Sequence, residues 1–254
     1  MGADESIRLG RRDAGRRGRY VVGVSVPTNP GRWPLGGAPF SCQQNRNPLL
    51  PNPVLRALLV DMDQWVASGR QPPDSRVPRV VDGTLVSPLP QDAMGFPNIP
   101  GVVYNGRLHT GDLFDFGAQF EEGILSILPP KLVGTPYPVL VPKTDADGNG
   151  VAGVRLPEIA APLATYTGWG LRAYPAGADD GCDASGQKID FPDTEADRVT
   201  SGDPRPSIAE RYPTHAVYVA AVTEAVTHLQ QQRLLLNVDA QAYLQAAEAS
   251  TIGK

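Results

Sequence analysis

Proline and glycine punctuate this chain too often for it to be built from long helices or one large regular sheet. The 26 prolines and 27 glycines make up about a fifth of the 254 residues, and each proline fixes φ and removes a backbone donor. From Pro27 to Pro53 and again from Gln71 to Gly101 the chain reads as extended loop, with Trp33 and Phe40 as apolar anchors in the first tract. Regular structure is therefore confined to the windows between these tracts.

Residues 20–26, YVVGVSV, read as one short buried strand. From Val54 to Ala67 the apolar residues Leu55, Leu58, Leu59, Met62, Trp65 and Val66 recur at three- and four-residue steps. That period predicts an amphipathic helix with Pro53 in its first turn and Gly69 as its stop. Arg70 to Pro78 is the expected linker. Short strands are expected at Gly83–Val86, Val102–Tyr104 and Ile124–Leu128. In Thr135 to Arg172, runs at Val139–Val141 and Val151–Leu156 flank Asp145-Ala146-Asp147-Gly148-Asn149-Gly150, which predicts a β-hairpin. Pro175 to Pro206 reads as polar surface coil. Ser207 with Glu210 has capping-box spacing, Thr214 caps a long helix striped from Val217 to Leu229, and Asn237 caps a last helix to about Ala249.

A hydrophobic content of 41% and a charged content of 20% belong to a soluble globular protein, and a net charge of -4 argues against a nucleic-acid surface. Six arginines between Arg8 and Arg19 sit in a segment without apolar periodicity, so residues 1–19 read as a disordered basic leader. No apolar run is long enough for a signal peptide or a membrane span, so no membrane partner is expected and localisation stays open. Cys42 and Cys182 are expected to be two reduced structural thiols, with a single long-range bridge as the alternative.

The candidate chemistry is sparse. Asp145, Asp147 and Asn149 match the first half of a calcium loop, but Leu156 stands where the bidentate carboxylate belongs, so a hairpin turn is preferred over a metal site and no cofactor is expected. His109 lies near Asp112 and Asp115, an arrangement able to orient an imidazole as a base, and is the one catalytic candidate. Gly23-Val24-Ser25-Val26-Pro27 is half of a nucleophile elbow, with proline where the second glycine is needed. His215 and His228 read as surface or partly packed residues. Arg205, Glu210 and Arg211 form a charged cluster that either clamps an anion or pairs internally, and internal pairing is preferred.

Four stretches, residues 52–86, 139–172 (VLVPKTDADGNGVAGVRLPEIAAPLATYTGWGLR), 201–212 (SGDPRPSIAERY) and 234–250 (LLLNVDAQAYLQAAEAS), together resemble the C-terminal part of the large bacterial "alpha/beta hydrolase domain" proteins. The resemblance covers roughly residues 45–250. It implies an α/β fold: a partial α/β-hydrolase-like sheet end, with the last strand and closing helix in 20–69, and a C-terminal β-hairpin and helix extension in 75–254. It implies esterase-like acyl hydrolysis of a small ester in the complete protein. The family's G-x-S-Q-S-G elbow is absent from this sequence, and no histidine stands near Thr28-Asn29-Pro30, where its T-Q-H-like loop would fall. The chain is therefore expected to be a truncated or rearranged piece, inactive alone, or else an accessory module forming a homo- or hetero-oligomer through an exposed sheet edge.

Overall fold

The computed structural model describes residues 42–108, 111–134, 137–175, 177–182 and 186–254, all within one compact unit, Ala38–Lys254. The basic leader, the strand expected at 20–26 with Ser25, and His109 lie outside the described residues.

In chain order the elements are β1 (Asn45–Arg46), α1 (Asn52–Ser68), β2 (Leu85–Val86), α2 (Gln91–Met94), β3 (Phe114–Asp115), β4 (Lys131–Leu132), β5 (Val141–Pro142), α3 (Pro157–Ala160), β6 (Ala164–Tyr166), β7 (Gln187–Asp190), α4 (Glu195–Ser201), α5 (Ile208–Arg211), α6 (His215–Gln231) and α7 (Asn237–Ala249). The fold is mixed α/β. Its described sheets are small and antiparallel: β1-β7-β6, β2-β5 and β3-β4.

The long helices follow their patterns. In α1, Pro53 occupies the first turn, where a missing amide costs nothing, and Gly69 ends the helix in the left-handed region at φ 74, its amide bonded to Trp65 O at 2.9 Å. Thr214 caps α6 through the amide of Val217. The buried stripe Val222, Val226 and Leu229 meets Leu234, Leu235, Ala240 and Ala247 around α7, with Leu156 and Ala161 closing the cluster. A second core gathers Met94, Phe96, Ile99 and Ile189, with Tyr104, Val141 and Trp169 packed against it.

Several expectations are corrected. The turn from Asp145 to Gly150 closes, with Asp145 N bonded to Asn149 O at 2.8 Å and Val151 N to Lys143 O at 3.1 Å, but its arms are not a long hairpin. Val141 pairs with Val86 of β2 instead, and the second arm is broken by Gly153 at φ 96 and by Pro157, which starts α3. Val102–Tyr104 and Ile124–Leu128 form no strands; Val102 and Tyr104 serve the second core as loop residues. The expected coil from Pro175 to Pro206 contains β7, which alternates buried Gln187 and Ile189 with more exposed neighbours, and α4, capped by Thr194 and Asp197 in a capping box.

Cys42 and Cys182 are joined in a disulfide with Cα atoms 5.5 Å apart, correcting the expectation of two free thiols. Sequence separation hid it: the antiparallel bridges Cys42↔Arg172 and Leu171↔Gly181 bring the two cysteines to neighbouring strand-like segments.

Candidate functional site

The residues singled out around the turn build a brace. Asp145 Oδ1 accepts the amides of Asp147 and Asn149, each at 3.0 Å, while Oδ2 pairs with Arg155 at 2.9 Å. Asp147 takes both ends of the Arg211 guanidinium, one bond at 2.7 Å. Asn149, 0% exposed, donates from Nδ2 to Ala164 O at 3.1 Å and accepts the Tyr166 amide on Oδ1 at 2.8 Å. The three oxygens that a cation would need to share are thus turned toward three different partners. Among the described residues no cluster of three or more His, Cys, Asp or Glu side chains is placed to hold a metal.

Arg205 completes the brace. At 1% exposed it is the largest fully buried side chain among the described residues. Its Nε and Nη2 grip Asp203 at 2.9 and 2.6 Å, Nη1 reaches Thr165 Oγ1 at 2.8 Å and Ile189 O at 3.1 Å, and Nη2 also reaches Asp190 O at 3.0 Å. A guanidinium has five N–H donors, and here each has a partner, so none remains for a ligand. The Phe191 ring lies under both Arg205 and Arg211, at 4.9 and 4.2 Å. Burial by itself raises the Asp203 carboxyl, but the bonds and charge of Arg205 outweigh it and hold the group below the usual carboxylate range. Glu210 is drawn down to about 2, first by Arg198 and then by the Ser207 amide and hydroxyl of its own capping box. The charged cluster is therefore internally paired.

Of the two described histidines, His215 ties the start of α6 to α7 and the residues after it, and His228 pairs locally at the end of α6. His215 Nδ1 lies 2.9 Å from Ile252 O and Nε2 3.1 Å from Glu248 O, while His228 meets Gln232 one turn on.

Sequence reasoning missed the concavity beside the second core. A cavity of about 700 Å³ opens beside the second core, bordered by the loop from Tyr104 to Leu108, by Val141 and Pro142, by Thr167 to Leu171 and by Asp179 to Gly181. Tyr104 and Trp169 meet at 5.6 Å between centroids, and both pack on Phe96, at 5.7 and 5.4 Å. The Tyr104 hydroxyl donates to Pro88 O at 2.5 Å. The far wall is fastened by Gln43, whose amide donates to Arg172 O at 3.0 Å and to Asp179 Oδ1 at 2.8 Å, and by the adjoining disulfide. Tyr166 and Trp169, both half-buried, lie on this lining, and nothing in their spacing announced the segments 104–108 and 179–181 that face them.

The family model described as alpha/beta hydrolase domain matches residues 18–245. Most of the chain is covered, and the chain belongs to that family, which supports a hydrolase-like fold. No curated protein and no solved structure matches it.

Proposed function

We propose that this chain is the C-terminal portion of a serine hydrolase acting on carboxylic esters or related acyl compounds, and that it supplies scaffold rather than nucleophile. One observation carries the reading: the family match spans residues 18–245 in a sequence with no Gly-x-Ser-x-Gly elbow. In such a hydrolase a serine oxygen attacks the ester carbonyl, the alcohol leaves, and water cleaves the acyl-serine, with an oxyanion hole stabilising each tetrahedral intermediate. The division into 20–69 and 75–254 belongs to the same proposal. The isolated chain is expected to turn over no short p-nitrophenyl ester above the buffer rate. Turnover that persists through independent purifications and is blocked by a serine-directed phosphonate would overturn this.

A second reading, an accessory module paired with another polypeptide, is favoured by α1. Its stripe of Leu55, Leu59, Met62, Trp65 and Val66 is exposed, Val66 to 82%. Its polar side faces the body, through Arg56 with Asp239 and Asp61 with Arg233 at 3.0 Å. An amphipathic helix that buries its charges and exposes its apolar stripe invites association. Native mass spectrometry would then give an oligomer or complex that Leu59→Glu dissolves, whereas a clean monomer at micromolar concentration counts against the module.

A further inference from the structure

We infer that the cavity beside Trp169 is a binding site for an uncharged aromatic molecule. The inference stands on the cavity and not on ester hydrolysis. Its volume, about 700 Å³, lies within the range of small-molecule sites, roughly 300–1,000 Å³. Two aromatic rings form one wall, and they are fixed before any ligand arrives: Trp169 and Tyr104 each pack on Phe96, which is 3% exposed. A preformed ring wall spares the ligand the cost of ordering side chains on binding.

The polar groups of the lining are largely committed within the protein. The Tyr104 hydroxyl is bonded to Pro88 O. Asn105 uses both ends of its amide, donating to Asp179 O at 2.7 Å and accepting the Arg107 amide at 3.0 Å. Thr167 Oγ1 donates to Trp169 O and accepts the Gln187 amide at 3.3 Å. What these residues offer a ligand is therefore ring face and methylene surface rather than free hydrogen-bonding groups, and a ligand rich in polar groups would lose its water without replacement.

Charge settles the class further. Among the described residues the acidic and basic side chains on the lining are Arg107, Asp179 and Asp180, two carboxylates against one guanidinium, so an anion meets net repulsion. A neutral ring-bearing molecule satisfies the shape, the apolar wall and the sign of the field together.

The test uses the full chain and two probes of one shape, 2-naphthamide and 2-naphthoate, titrated calorimetrically at pH 7.5. The neutral amide is expected to bind saturably with a dissociation constant in the micromolar range, at least about tenfold tighter than the carboxylate. Trp169→Ala is expected to weaken the amide by about tenfold and Trp169→Phe to restore most of the loss, as ring stacking requires. Because Trp169→Ala could also disturb the second core, Asp180→Asn on the exposed wall provides an independent reading: it should tighten the carboxylate several-fold and leave the amide unchanged. Binding of the carboxylate as tight as the amide, an unchanged affinity in a folded Trp169→Ala, or no saturation at millimolar amide would each overturn the inference. None of these results bears on esterase turnover, since the amide and the acid are not substrates of that reaction.

Discussion

Arg205 shows how a surface-prone residue becomes structural. Its five donors bind two side chains and two carbonyls from β7, β6 and the loop before α5, so truncation leaves Asp203 buried and uncompensated. Arg205→Ala is expected to cost about 3–5 kcal/mol in urea unfolding, and Arg205→Lys to recover only part of it, because an ammonium cannot satisfy the same fork. Glu158 in α3 is the opposite case. Burial pushes its carboxyl above the ordinary range, with a backbone bond and the Tyr243 hydroxyl only partly opposing the shift, and one carboxylate oxygen is buried without a partner. The folded state then holds the proton more tightly than the unfolded chain. Stability present at acidic pH is lost as pH rises from the unfolded carboxylate range through the raised folded value, and is flat above it. Glu158→Gln is accordingly expected to raise the melting temperature at pH 7.5, with the gain vanishing at acidic pH, as calorimetric scans across pH would show.

At the scale of the element, what the sequence disclosed was what local rules dictate. α1, α6 and α7 announce themselves because a 3.6-residue stripe lies in contiguous residues, with Gly69 ending α1 and Thr214 capping α6; the cap expected at Asn237 is corrected, since Leu236 precedes α7 and makes no side-chain cap bond, while Ser207 with Glu210 forms the capping box that its spacing predicts. Which side of α1 faces the body was hidden, since the stripe alone points inward, whereas in the structure Arg56 and Asp61 do. β7 and α4 were masked by the density of glycine and aspartate before them, although Thr194 three residues ahead of Asp197 was a readable start signal. Thr194→Ala is expected to destabilise the protein by about 1 kcal/mol, the ordinary cost of a lost cap, measurable by denaturant melts. The turn at Asp145–Gly150 was legible, but its partners were not: Arg211 comes from 64 residues away and Asn149 binds β6. Asp147→Ala frees Arg211 above Phe191 and should loosen the turn, seen as faster amide exchange at Asn149 and Val151.

For the whole molecule, the family and the α/β class were legible from long motifs in order, and the cavity was not, because its walls come from separate stretches that only tertiary folding assembles. The same distance hid the Cys42–Cys182 bond, whose ends are 140 residues apart. Closing so long a loop constrains the unfolded chain, and reduction or Cys42→Ser with Cys182→Ser is expected to lower stability by about 2–4 kcal/mol. The bond has a topological consequence as well. Every backbone cut between Cys42 and Cys182, including one in the exposed stretch near Arg70–Pro78, leaves the two pieces on a single covalent molecule, so a nicked protein keeps its size on a gel until thiol is added. A cut beyond Cys182 severs the chain outright, and comparing the two gels maps which side of the cysteine a protease reached.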